Sequence, residues 1–234
     1  PAQNYRDITE GRYDKTTNQI SKIVFDKFKE IYDKGDKKGE FILTVGPDDE
    51  DIINNQFEFD LMGALEITDG EYFVDGGANS GYDDDGEEIT PLLSVKFKIP
   101  KNPDWQKVSF DIKDVVRHEL EHLTQDGLNV KGGVVSDNPK LARPSKQMSD
   151  DKIVRNSIDI GLLPAADYFL LEKEIDAMLQ GLYFKAKKSK RPFKDVINDY
   201  LNIFINNGKI TSEEKEEILN LWRKRNKALS LPIF

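Results

Sequence analysis

Apolar residues recur every three or four positions in several stretches of the chain, which places them on one face of a helix. In residues 16–34, Ile20, Val24, Phe28 and Ile31 share such a face. A glycine-rich turn at 35–39 ends this helix. Near the other end, Thr211 and Glu214 have the spacing of a capping box, which predicts a helix start. Three helices are predicted in the last third of the chain, over residues 165–187, 192–206 and 212–227.

Short runs rich in β-branched and aromatic residues follow the first predicted helix and are separated by Gly, Asp and Asn. They predict strands over residues 41–45, 57–67, 72–74 and 92–99. The last run alternates polar and apolar residues, which is typical of a half-exposed or edge strand. The expected fold class is therefore α+β, with a small mixed or antiparallel sheet.

The order of the predicted elements suggests three parts. Residues 1–126 form an α+β subdomain, and residues 165–234 form a helical C-terminal subdomain. Between them, residues 127–164 are polar, contain Pro139 and Pro144, and have little periodicity. A connection this long is uncommon inside a compact domain and indicates a loop or flap.

Composition narrows the possible chemistry. The 234-residue chain has no cysteine, so disulfide bonds and thiolate metal sites are excluded. No stretch is apolar enough to span a bilayer and no signal segment is visible, so we expect a cytoplasmic protein without a membrane partner. Oligomeric state is not predictable.

The net charge of −9 is unevenly distributed, because the acidic excess lies in residues 1–126. Basic residues cluster within 185–194 and 223–227. Since no aromatic residues alternate with these charges in the manner of a nucleic-acid-binding motif, we interpret them as solvated helix faces or contacts with the acidic half. A nucleic-acid partner is not expected.

The most specific motif is His118-Glu119-Leu120-Glu121-His122, which contains the only two histidines of the chain. An apolar stripe at Ile112, Val116, Leu120 and Leu123 predicts a helix here, which we expect Ser109 or Asp111 to cap and Gly127 to follow.

Positions i and i+4 share a helix face, so both imidazoles can reach one metal ion. Glu119 would lie beside that ion, where a carboxylate can take a proton from metal-bound water. The alternative is a charged amphipathic helix with two incidental histidines.

A catalytic zinc site usually takes three protein ligands and keeps one position for water. With no other histidine and no cysteine, the third ligand must be Asp or Glu. Residues 167–178 offer two alternative assignments. In the first, Glu174 is the ligand and the small Ala177 allows close helix packing. In the second, Glu172 is the ligand and Asp176 orients a histidine. Glu174 is favoured, because it lies on the apolar side of the helix, where an unpaired carboxylate would be costly.

These residues resemble the gluzincin group of zincin metallopeptidases, in which an H-E-x-x-H helix is joined by a downstream Glu. The segment from Glu174 to Ala177 is similar to one in small, uncharacterised H-E-x-x-H proteins, many of them phage-encoded. The resemblance covers roughly residues 91–190. It implies a zincin-like fold and one Zn²⁺ ion bound by His118, His122 and Glu174.

The same resemblance implies hydrolysis of a peptide or protein substrate with Glu119 as general base. It makes 92–99 the candidate strand for aligning substrate. The chain departs from thermolysin-like members in lacking a third histidine for oxyanion stabilisation, and Tyr168 or Tyr183 is the candidate to replace it. If phage-encoded, the protein would act in the host cytoplasm or the virion. The alternative hypothesis is a virion or assembly-associated structural protein whose zinc site is vestigial or stabilising.

Overall fold

The computed structural model describes residues 14–46, 58–79, 90–125, 154, 157–158 and 160–234. The predicted connection at 127–164 lies largely outside these residues. Within them, strands and helices are separated along the chain, so the predicted α+β class is confirmed. In chain order the elements are α1 (Asp14–Asp33), β1 (Lys38–Val45), β2 (Phe59–Thr68), β3 (Phe73–Asn79), β4 (Leu92–Pro100), α2 (Trp105–Gln125), a 3₁₀ helix (Ala165–Leu170), α3 (Glu172–Ser189), α4 (Phe193–Asn206) and α5 (Ser212–Ala228).

The four described strands form one mixed sheet in the order β1-β2-β4-β3. β2 and β4 are parallel, whereas the two outer pairs are antiparallel. β4 is therefore an interior strand. Of the two predicted alternatives, the half-exposed strand is confirmed and the edge strand is wrong. Its polar–apolar alternation arises because one face of the sheet is covered by helices while the other carries polar side chains.

The N-terminal core lies between the sheet and the helices α1 and α2. Side chains from both helices and from β2 and β4 form one buried cluster, in which Phe28, Leu61, Phe97 and Leu120 are completely or almost completely buried. On the opposite face, charged side chains such as Lys96 point outward. The buried cluster fixes α2 against the sheet.

A second core is formed by the 3₁₀ helix and helices α3, α4 and α5. At its centre Trp222 is fully buried, with Phe169, Leu179 and Ile197 among the other members of the cluster. The predicted capping box of α5 is confirmed, because Thr211 and Glu214 exchange side-chain and backbone hydrogen bonds. The two cores meet where α2 packs against α3.

Two helix starts differ from the predictions. α2 begins at Trp105, where the Asp104 carboxylate accepts hydrogen bonds from the backbone N–H groups of Gln106 and Lys107, so Ser109 and Asp111 are not caps. The helix predicted over 165–187 is divided at Leu171, whose backbone is extended. The Phe169 carbonyl there accepts a hydrogen bond from the Trp222 indole.

Within the part of the chain that the structure describes, no helix combines the length and apolar character needed to cross a membrane.

Candidate metal centre

α2 presents two different faces to its surroundings. The predicted apolar stripe is confirmed, since Ile112, Val116, Leu120 and Leu123 are fully buried in the N-terminal core. The two histidines lie one turn apart at the edge of that core, and their Nε2 atoms are 2.9 Å apart. The local sequence therefore places both imidazoles toward the same point.

α3 brings a carboxylate to that point. Glu174 Oε2 lies 3.6 Å from His118 Nε2 and 3.4 Å from His122 Nε2. Glu174 is 52 positions after His122 in the chain, so this convergence depends on the packing of α3 against α2. The structure thus brings together the three residues that were predicted from the sequence to be metal ligands.

The spacing of these three donor atoms fits a single metal ion bound by all three. Zinc-to-ligand distances of about 2.0–2.2 Å at tetrahedral angles separate neighbouring donors by roughly 3.3 Å. The three observed separations, from 2.9 to 3.6 Å, bracket that value. Imidazole nitrogens and carboxylate oxygens are both ligands that divalent metal ions accept in proteins.

The surroundings of Glu174 favour its charged form. Its side chain is only 1% exposed, and it lies in the first turn of α3, where the helix dipole stabilises an anion. Burial raises the pKa of Glu174, but the charge of His122 and hydrogen bonds from both histidines outweigh burial and hold the pKa well below its usual range. Glu174 is therefore available as an anionic ligand.

The acidic surroundings act in the opposite direction on His118. Burial lowers its pKa, but the hydrogen bond with Glu174 and the charges of Glu119, Glu174 and Asp114 outweigh burial and raise it. A negative field of this kind attracts cations. The His118 side chain keeps 18% of its surface exposed, so the cluster reaches solvent on that side.

Glu119 lies beside the three donor atoms. Its Oε1 is 3.9 Å from His118 Nε2, and the candidate ligand atoms of His118, Glu119 and His122 all lie within 4.8 Å of one another. The Glu119 side chain is also packed against β3, at Gly76. This carboxylate therefore lies beside the two imidazoles and against β3.

The two tyrosines proposed as oxyanion donors lie in different places. The Tyr168 hydroxyl donates a 2.6 Å hydrogen bond to Glu174 Oε2, the oxygen that faces both histidines. Tyr183 instead packs its ring against Phe193, and its pKa is raised by burial and by the charge of Asp14 at the start of α1. Of these two tyrosines, Tyr168 contacts a residue of the candidate metal centre, whereas the described contacts of Tyr183 lie elsewhere.

The alternative assignment took Glu172 as the metal ligand and Asp176 as the residue that orients a histidine, and both of these residues lie elsewhere. Glu172 is exposed, whereas Asp176 is fully buried and forms a bidentate ion pair with Arg225 of α5, at 2.5 and 2.6 Å. Ala177 is fully buried. The observed arrangement corresponds to the assignment in which Glu174 faces the histidines.

Sequence reasoning missed two glycines that let other elements approach α2. A Cβ on Gly181 of α3 would lie 2.8 Å from the Asp114 carboxylate and 3.0 Å from its backbone oxygen. A Cβ on Gly76 of β3 would lie 2.6 Å from Glu119 Oε1. The Gly76-Gly77 pair inside a strand is a possible sequence signal for such a close approach.

The basic cluster at 185–194 was predicted to form solvated faces or contacts with acidic residues, and several of its members form ion pairs. Lys185 binds Asp111 and Asp114 of α2 at 2.7 and 3.3 Å, and Lys187 binds Asp14 of α1. These ion pairs connect α3 to both helices of the N-terminal subdomain, on the side of the crossing away from Glu174.

No protein-family model, curated protein or solved structure matches this chain. Function is therefore inferred from the geometry and chemistry of the site.

Proposed function

We propose that this protein is a zinc-dependent metallopeptidase. The observation that carries the proposal is the convergence of Glu174 Oε2 on the Nε2 atoms of His118 and His122, with Glu119 beside them. Two imidazoles and one carboxylate converging on one point form the donor set of a catalytic zinc site.

His118, His122 and Glu174 would hold the ion. Zinc bound there would lower the pKa of a coordinated water to about 7 and polarise the scissile carbonyl. Tyr168 holds the ligand oxygen of Glu174 through its hydroxyl, as groups that hydrogen-bond to metal ligands commonly do.

Glu119 is the proposed general base. It takes a proton from the attacking water as the new C–O bond forms, and it delivers that proton to the leaving nitrogen as the peptide C–N bond breaks. The same carboxylate therefore serves both halves of the reaction, and His118, His122 and Glu174 would hold the ion beside it.

The substrate is proposed to be an extended peptide. β3 lies at one end of the described strand order, and Gly76 of this strand touches Glu119. The outer edge of a sheet can pair with an extended peptide through backbone hydrogen bonds. β3 therefore replaces the interior strand β4 as the candidate for aligning substrate, and the arrangement of sheet, α2 and α3 is compatible with the zincin-like fold that we propose.

The decisive experiment compares wild-type protein with Glu119→Gln. Gln has nearly the same shape but cannot take the proton, so the variant should retain one zinc ion per chain and lose peptide hydrolysis. Zinc is measured by mass spectrometry and hydrolysis with a fluorogenic peptide library. Glu172→Gln is the matched control, because Glu172 is exposed and should retain both properties.

Two outcomes would reject the proposal. If Glu119→Gln cleaves a responsive peptide as fast as wild type, the assigned mechanism is wrong. If wild-type protein binds zinc and is stabilised by it but cleaves no peptide in the library, the result favours the alternative of an assembly-associated protein with a stabilising zinc site.

A further inference from the structure

We infer that Gly76 is a positioning residue for the general base Glu119, because its missing side chain leaves the space that the Glu119 carboxylate occupies. The inference deepens the proposed metallopeptidase function, and its kinetic consequences depend on that function. Its structural consequence is that a side chain added at position 76 displaces the Glu119 carboxylate, and this consequence does not depend on the proposed function.

The contact distances define this space. A Cβ built on Gly76 would lie 2.6 Å from Glu119 Oε1 and 3.0 Å from Glu119 Cγ. It would also lie 2.6 Å from Val115 Cγ1, one helical turn before Glu119. Distances below 3.0 Å are essentially absent from real Cβ contacts, so adding a methyl group at position 76 must displace something.

The carboxylate is the group most free to move. β3 is hydrogen-bonded to β4, where Gly76 is opposite Val95, a fully buried core residue. α2 is fixed on its other side by the buried apolar stripe that includes Val116 and Leu120. Because β3 is held by its pairing with β4 and α2 is held by the core, the extra methyl group should be accommodated mainly by the flexible end of Glu119 and by Val115.

The positions of the three proposed zinc ligands should not change when a methyl group is added at position 76. His118 and His122 project toward α3, and Glu174 belongs to α3, whereas the atoms nearest a Cβ at position 76 belong to Glu119 and Val115. The inference therefore predicts that the base is displaced while the metal ligands keep their places.

The test uses a Val115→Ala background, so that the second close contact does not itself prevent folding. Gly76→Ala in this background should keep stoichiometric zinc with unchanged affinity, measured by chelator competition. It should lower kcat for peptide hydrolysis by about 100-fold relative to Val115→Ala alone, the size of effect expected for a misplacement of about 1 Å, with KM nearly unchanged. Crystal structures of the two proteins should show the Glu119 carboxylate displaced by about 1 Å or more in Gly76→Ala, Val115→Ala relative to Val115→Ala alone.

A matched control adds a methyl group at the other end of the sheet. In β1, a Cβ on Gly39 would lie 2.7 to 2.9 Å from side-chain atoms of Ile31, which is an equally close contact away from the metal centre. Gly39→Ala should lower the thermal unfolding temperature but leave kcat unchanged. A kcat loss equal to that of Gly76→Ala would overturn the inference, because overpacking alone would then explain it.

The remaining outcomes are also decisive. An unmoved carboxylate in the Gly76→Ala, Val115→Ala structure, or a kcat equal to that of Val115→Ala, would overturn the assignment. If wild-type protein hydrolyses no peptide, the proposed function fails instead, and the crystal structures alone decide whether Gly76 holds the Glu119 side chain in place.

Discussion

The two helices that build the candidate metal centre contribute to it in different ways. α2 supplies three of its residues within five positions, and their relation follows from helix geometry alone. α3 supplies one carboxylate, Glu174, whose relation to the histidines exists only because the helices cross. The relative positions of the three α2 residues can be predicted from the sequence. The position of Glu174 depends on how the two hydrophobic cores pack the helices together.

The helices also begin differently. α2 starts with the Asp104 cap in solvent, more than three turns before His118. α3 begins at Glu172, after Leu171, whose side chain forms no capping hydrogen bond, and Glu174 lies in its first turn. The difference indicates that α3 uses its own N-terminus to stabilise the ligand, whereas α2 keeps its N-terminus away from the site.

The largest predicted effect tests whether α3 supplies the third ligand. Glu174→Gln keeps the side-chain volume but removes the charge, and should weaken zinc binding by more than about 100-fold, beyond the loss typical of residues that only orient a ligand. Glu172→Gln, two positions earlier in the chain and exposed, should bind zinc like wild type. Competition with a chromogenic chelator measures both, and equal losses would reject the assignment.

The next effect concerns the hydroxyl that holds this ligand. Tyr168→Phe removes the 2.6 Å hydrogen bond to Glu174 but keeps the ring, and should weaken zinc binding about 10- to 100-fold. Tyr183→Phe makes the same chemical change on the part of α3 that packs beside Phe193 and should leave zinc affinity unchanged. A larger loss in Tyr183→Phe would reverse the roles of the two tyrosines.

A third effect is the pH dependence of zinc stabilisation. In the zinc-free protein, the raised pKa of His118 means that its protonated form stabilises the fold fully below about pH 6.5, and this contribution is lost as pH rises through the raised pKa. Zinc requires the neutral imidazole. Zinc-induced stabilisation should therefore increase from pH 6 to pH 8, by about 1.4 kcal/mol per pH unit for each proton displaced.

Thermal unfolding with and without zinc at both pH values measures this change. Glu172→Gln should follow the wild-type dependence, since Glu172 is exposed. An identical zinc-induced shift in unfolding temperature at pH 6 and pH 8 would contradict the coupling between His118 protonation and metal binding.

The smallest effect tests the contrast between the two helix starts. Asp104→Ala removes the carboxylate that accepts from Gln106 and Lys107, and should lower the free energy of unfolding by about 1 kcal/mol. Asp104→Asn keeps an accepting oxygen and should recover most of that stability. Zinc affinity should be unchanged in both variants, and its loss would show that the start of α2 is coupled to the metal centre.

Much of the fold could be predicted because its signals are local. The strand runs and the helical period of Ile112, Val116 and Leu120 depend on neighbouring residues, and burial confirms that stripe. The break at Leu171 could not be predicted, because the indole that binds the Phe169 carbonyl comes from Trp222, 53 positions later.

The sequence by itself determined that His118 and His122 share a helix face, and that a carboxylate must complete any three-ligand site, because the chain has no cysteine and no third histidine. Only the tertiary structure decided that Glu174 faces the imidazoles, that Tyr168 contacts it, and that Gly76 of β3 lies against Glu119. Helical period is a property of adjacent residues, whereas these contacts depend on how two cores align α2, α3 and β3.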